Sequence, residues 1–189
     1  MKNLFQNDKE FKQAIGSFII AFSELEFGLA FLCSMTEFDI RKKDDYVIKY
    51  IGFTFEKKVD HLTNFINEHL QEVQPIWTKL KIEIGLLNRE RRFLAHGFMD
   101  YYLPNETITT HIKEQGKVTT KNQTLEEIKD FTNRLYHLNT GNNGINGEFH
   151  TLFMKTRINK WNELVNDNNK IIYKINNIIV SDWKGSKEA

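Results

Sequence analysis

Cysteine occurs once in the 189 residues and proline twice. With Cys33 alone, neither an intrachain disulfide nor a cysteine zinc cage can form. Its place in the apolar run LAFLCSM predicts a buried, inert thiol. An excess of either charge is also missing, because 26 Lys plus Arg stand against 25 Asp plus Glu, a net +1 with His neutral. That argues against a histone-like or arm-type nucleic-acid binder and leaves any anion site to a local cluster. The longest uncharged apolar stretch, Gln13–Ser23, is too short to span a bilayer. The opening MKNLFQNDKEFKQ lacks the apolar segment and cleavage site of a signal peptide. The expectation is a soluble, cytoplasmic protein with no membrane partner. There is no Gly-rich phosphate loop, no serine elbow and no Walker pattern.

What is present is a rich supply of core formers. Hydrophobic residues make up 40% and aromatics 13%, with fifteen Phe, so a disordered chain is excluded. No repeat or linker divides the sequence, and residues 1–189 read as a single domain. Ile15, Phe18, Phe22, Leu25, Leu29 and Leu32 recur at spacings of three and four, which predicts a first helix over about 8–35. A short helix over 44–51 follows, ended by Gly52. Thr54 then offers an N-cap for a helix to about Leu70. Pro75 suits the first turn of a long helix over about 74–96.

Beyond Asp100 the pattern changes. TITTHIKEQGKVT alternates β-branched and polar residues around Gly116, which predicts a hairpin over 107–119. Thr124 and Glu127 form a capping-box pattern for a helix through about Leu138. TGNNGING reads as a loop, and FHTLFMKTRINKWNELV and KIIYKINNIIVSDW as closing helical material. The fold class expected is mainly α: a helical bundle with long antiparallel helices and a small hairpin insertion. Lys42-Lys43 and Lys57-Lys58 read as solvated pairs. Trp77, Trp161 and Trp183 read as packing residues rather than base-stacking ones. His61 and His69 lack the further ligands that a metal site needs.

The segment NRERRFLAHGFMDYY, 88–102, concentrates the unusual chemistry, with three arginines in five positions and His96 shortly after. At about 100° per residue, Leu80, Ile84, Leu87, Leu94 and Phe98 share one line of the long helix, and Arg91 falls in its middle. A guanidinium on an apolar stripe is costly without an acceptor. Glu26, on the margin of the first helix's stripe, is the candidate partner, with Glu24 pointing away. Such a pair could do no more than fix helix register. Arg89 and Arg92 fall near the opposite side, close to His96. Together the types suit RNA cleavage by its own 2′-hydroxyl. A histidine moves the proton, an arginine fork holds the phosphate oxygens, and no metal or other cofactor is required.

Arg91-Arg92-Phe93-Leu94-Ala95-His96-Gly97 resembles the Arg-x(4–6)-His signature of HEPN domains, and FSELEFGLAFL and FTFEKKVDHL resemble earlier helices of that family. The resemblance covers about residues 8–100, leaving 101–183 as variable hairpin and C-terminal helices. It implies a helical homodimer, often a metal-independent endoribonuclease of toxin–antitoxin, abortive-infection or antiviral systems, acting on RNA and sometimes held by an antitoxin or other protein partner. It implies His96 for proton transfer, Arg91 as phosphate ligand and Glu26 as a supporting carboxylate. In such dimers the motif helices of two subunits face each other; with an Arg and a His about 140° apart on one helix, a second copy or a helix distortion at Gly97 could bring them onto the same phosphate. Arg92 stands where the family typically has Asn, Asp or His, so it could bind RNA or could replace a hydrogen-bonding role. Arg89 also meets the motif spacing to His96 and competes with Arg91 for the catalytic role. Tyr101 and Tyr102 follow the motif and could border the cleft. The alternative reading is a non-catalytic dimeric module that binds RNA, a nucleotide or a protein partner.

Overall fold

A computed structural model describes residues 2–37, 43–102, 107–114, 116–141, 144–165, 174–175 and 178–179, with side chains described over 8–37, 44–100, 107–113, 116–141 and 144–159. Among the described residues, six α-helices and a small sheet follow in the order α1 (Lys2–Ser34), α2 (Lys43–Ile51), α3 (Phe55–His69), a 3₁₀ turn, α4 (Gln74–His96), β1 (Phe98–Tyr102), β2 (Thr107–Glu114), β3 (Lys117–Thr124), α5 (Leu125–Thr140) and α6 (Glu148–Val165). Two short antiparallel strands, β4 (Lys174–Ile175) and β5 (Ile178–Ile179), come last.

Helix α1 is the central post. Phe18, Phe22, Leu25, Leu29 and Leu32 are buried along it, and α2, α3, α4 and α5 all pack against it. Asp8–Ser34 has the length and apolar composition of a membrane-crossing helix, a property it shares with core helices whose stripe is covered, as this one is. Local chemistry sets the other ends. Thr54 caps α3 by accepting from Lys57 N at 3.3 Å. Pro75 sits in the first turn of α4, and Thr124 with Glu127 forms a complete capping box on α5.

The sheet is antiparallel in the order β1-β2-β3. Gly116, at φ 82°, makes the β2–β3 turn in the left-handed region that favours glycine. Ile108, Thr110 and Ile112 of β2 face inward. On β3, Gln123 donates through Nε2 to Glu90 Oε2 at 3.0 Å, and Lys121 donates to the same carboxylate. Lys121 Nζ also lies 5.8 Å from the Phe93 ring and 5.7 Å from the Phe131 ring. The hairpin is therefore tied to α4 through one carboxylate two residues after Arg89's neighbour Asn88.

Three expectations need correction here. Within KIIYKINNIIVSDW the described residues Lys174–Ile175 and Ile178–Ile179 are the strands β4 and β5 and not helix, as β-branched isoleucines favour extended backbone, and the rest of the segment lies outside the described residues. Phe98 does not extend the buried line of α4. The helix stops at His96 and Phe98 starts β1, 75% exposed. Lys58 is no solvated surface lysine but 2% exposed, inside the bundle. Trp77 is core, as its periodicity suggests, whereas the side chains of Trp161 and Trp183 lie outside the described residues.

Candidate functional site

Arg91 is carried inward by the helix that buries Leu80, Ile84, Leu87 and Leu94. Its guanidinium carbon lies 4.8 Å from the Phe22 ring centre and 6.0 Å from that of Phe55. Its Nε donates to Asn88 Oδ1 at 3.1 Å, and Asn88 Nδ2 donates in turn to Glu56 Oε1 at 3.3 Å. The guanidinium is thus gripped by two aromatic faces and one neutral amide. A planar, weakly hydrated cation tolerates that setting, where an ammonium would not.

The expected Arg91–Glu26 pair does not form. Glu26 Oε1 instead accepts from Lys58 Nζ at 2.8 Å, and Lys58 also donates to Phe53 O at 2.7 Å. A compact ammonium buried to 2% exposure needs a full counter-charge more than a stacked guanidinium does, and α3 brings it to the carboxylate. Glu90 is likewise taken, by Lys121. Among the described residues, Arg91 is left with neutral contacts and no ion pair.

His96 is the last residue of α4 and is exposed. At Gly97 the backbone turns extended, φ −75° and ψ 146°, while its N–H still closes the helix on Phe93 O at 2.9 Å. A Cβ at Gly97 would stand 2.4 Å from that same carbonyl oxygen, so only glycine fits the exit without a shift. His96 lies five positions after Arg91, about 7.5 Å of rise and about 140° of rotation. On an ideal helix the two side chains therefore point to different sides. Arg89 and Arg92 are exposed, on the side of α4 that also carries His96. Ile82 and Leu86, 61% and 50% exposed, and the open Gly85 lie along the same side. Tyr101 and Tyr102 pair in β1 with Ile108 and Thr107, and their side chains lie outside the described residues.

Asn88, three residues before Arg91 and one turn up the helix, is the polar neighbour that the motif did not single out; its spacing was the available signal. A second polar cluster, at the far end of α1, gave none. There Thr36 Oγ1 lies 2.7 Å and Tyr50 OH 3.1 Å from His61 Nε2. Thr36 donates to Cys33 O at 2.7 Å and Tyr50 to Glu37 Oε1 at 2.8 Å, so Nε2 carries the ring proton and donates to both oxygens. Lys49 Nζ also reaches Glu37 Oε1, at 2.7 Å. Burial, with Lys49 nearby, lowers the His61 pKa against the opposing pull of Glu37. Burial alone would raise the Glu37 carboxyl, but hydrogen bonds from Lys49 and Tyr50 and the Lys49 charge bring it below its ordinary value. Burial pushes the Tyr50 hydroxyl up, helped by Glu37, and pushes the Cys33 thiol up to about 12. Cys33 is thus a buried thiol without thiolate character. His61 serves hydroxyl groups rather than a ligand set, and among the described residues no three His, Cys, Asp or Glu side chains are grouped as a metal site requires.

No family model, curated protein or solved structure matches this chain.

Proposed function

We propose that the protein is an HEPN-like, metal-independent endoribonuclease in which Arg91 binds the scissile phosphate and His96 moves the proton. The observation that carries this reading is the setting of Arg91. A half-buried guanidinium held by Phe22, Phe55 and Asn88, with its nearest expected carboxylate committed to Lys58, is a cation in want of an anion. Its Nε is spent on Asn88, which leaves the two terminal amino groups as a fork for phosphate oxygens. In this reading His96, exposed at the helix end, takes the 2′-hydroxyl proton and returns one to the leaving 5′-oxygen. The products are a 2′,3′-cyclic phosphate and a 5′-hydroxyl.

The angular gap between the two residues calls for a second copy. The exposed side of α4, with Ile82, Gly85 and Leu86 ahead of Arg89 and His96, offers apolar contact and close backbone approach for a homodimer. Contact through this face would bring the Arg89 and His96 sides of two protomers together, with Arg91 on the inward side of each α4. Arg89 and Arg92 would then guide the RNA backbone into the cleft. Work as a cytoplasmic toxin or phage-defence nuclease, restrained by an antitoxin or another protein, accords with this chemistry.

The test is purified protein on a mixed RNA pool with chelator present, followed by end-group analysis. Cleavage to 2′,3′-cyclic phosphate ends, lost in His96→Ala and in Arg91→Ala, supports the reading. Undiminished cleavage by His96→Ala would remove it. Arg92, in place of the family's usual Asn, Asp or His, favours the rival reading of a non-catalytic RNA-binding module. RNA retained without product, equally by wild type and His96→Ala, would select that rival.

A further inference from the structure

We propose that the outward face of the β1-β2-β3 sheet is a base-stacking platform for the unpaired RNA nucleotides flanking the reacting linkage. The proposal rests on the ribonuclease reading of the Arg91–His96 site and names the form of its substrate: single-stranded RNA.

The placement follows from alternation. Ile108, Thr110 and Ile112 turn into the bundle, so Thr109, His111 and Lys113 turn outward. Phe98 stands opposite His111, and His111 opposite Thr120, which forms one row across three strands. Asp100, Thr109 and Asn122 form the next row. Phe98 is 75% exposed, the most open of the large hydrophobic side chains described. Two residues earlier in the chain stands His96, and only Gly97 intervenes. The most exposed ring of this face therefore stands two positions from the proposed proton-transfer residue.

The other groups are already held in place. His111 Nδ1 lies 2.9 Å from Thr120 Oγ1, which fixes the imidazole beside Phe98. Directly opposed residues on neighbouring strands set their Cβ atoms about 5 Å apart, so one base can lie over each ring. Thr109 Oγ1 donates to Asn122 Oδ1 at 2.9 Å, which leaves the amide's two N–H groups to donate outward to base acceptors. Asp100 can accept from base amino groups. Exposed Lys113 on this face, Lys117 near the turn, and Arg89 and Arg92 on α4 supply cations for the backbone. Open aromatic rings, hydrogen-bonding side chains and flanking cations are what an unpaired, unstacked strand engages, whereas a duplex buries the base faces that this sheet would stack.

The experiment is fluorescence anisotropy with a short, fully 2′-O-methylated oligoadenylate, using the full chain as wild type, Phe98→Ala, Phe98→Trp and Asn122→Ala, each also sedimented to read its association state. The methylated probe lacks the nucleophile, so binding is read apart from cleavage. Expected are binding by wild type, weakening of roughly 5- to 150-fold in Phe98→Ala as one base stack is lost, retention in Phe98→Trp, and a smaller loss in Asn122→Ala. Equal binding by wild type and Phe98→Ala overturns the platform, as does a loss matched by dissociation of the protein into smaller species, which would make Phe98 a protein contact. Phe98-dependent binding without cleavage of unmodified RNA supports the platform and sinks the ribonuclease reading. Cleavage with Phe98-independent binding does the reverse.

Discussion

Lys58 of α3 and Glu26 of α1 form an ion pair at 2.8 Å in which the lysine is 2% exposed and the carboxylate 30%. The pair fastens α3 to α1 directly beneath the rings that support Arg91, because Phe22 lies one helical turn before Glu26 and Phe55 three residues before Lys58. The carboxylate expected from spacing to neutralise Arg91 is thereby used to stabilise Lys58.

Removing Glu26 should be worse than removing both charges. Glu26→Ala leaves a buried ammonium with Phe53 O as its remaining acceptor, and we expect a loss of about 3 kcal/mol in urea unfolding, the low end for a buried pair because Glu26 is 30% exposed. Adding Lys58→Met to that variant should recover part of the loss, since an apolar side chain of similar length fills the site. A double variant less stable than Glu26→Ala alone would contradict the pair's assigned role.

Arg91→Ala and Arg91→Lys should separate stability from function. The cation–π contacts contribute about 1 kcal/mol, so both variants should fold. RNA cleavage should fall by roughly 10²-fold or more in each, because an ammonium cannot reproduce the planar fork on Phe22 and Phe55. Asn88→Ala should fall between wild type and Arg91→Ala, as it loosens the Nε without removing the charge. Full activity in Arg91→Lys would transfer the phosphate role to Arg89, and the matching Arg89→Ala assay would show it.

Acid should weaken the far end of α1 in two stages. The folded-state pKa of His61 lies below its unfolded value of 6.5, so the neutral ring contributes stability at higher pH. As pH falls through 6.5 the unfolded chain takes up a proton that the folded chain refuses, and stability declines toward the folded pKa. Glu37, also depressed, adds a second decline that begins below 4.5 and runs down through its folded value. Urea midpoints measured from pH 8 down to pH 4 should show the first stage in wild type and not in His61→Gln. A flat profile between pH 7 and pH 5 in wild type would refute the linkage.

Gly97→Ala should be damaging out of proportion to its size. The added Cβ would meet Phe93 O at 2.4 Å, and relieving that contact must move either the last turn of α4 or the start of β1. We expect a stability loss of about 1–3 kcal/mol and a larger fractional loss of cleavage than of stability, because His96 sits on that turn. Thermal unfolding paired with the RNA assay reads both.

The ends of α2, α3, α4 and α5 were legible because each is fixed within one turn of chain. Gly52, Thr54, Pro75 and the Thr124–Glu127 box act on backbone groups no more than a few residues away. The β2–β3 turn at Gly116 belongs to the same class. β1 was missed because Phe98 and Met99 prolong the apolar rhythm of α4, and nothing local announces that Gly97 will turn extended. Its strand character comes from pairing with β2, which follows in the chain and imposes the register. Arg91's anomalous place on an apolar stripe could be read directly from spacing. Its neighbours could not.

By itself, the sequence determined a mainly helical chain with one apolar post, its caps and turns, and a motif helix carrying Arg91 inward and His96 to its end. Those features depend on periodicity and on hydrogen bonds to nearby backbone, which every chain with these residues meets locally. The tertiary structure decided which cation Glu26 serves, that two phenylalanines support the arginine, that Lys58 is buried and Phe98 is not, and that His61 joins Thr36, Tyr50 and Glu37. Each of these depends on how separate elements approach one another, with the paired residues 11 to 69 positions apart in the chain, and no rule acting over a few residues can fix that geometry.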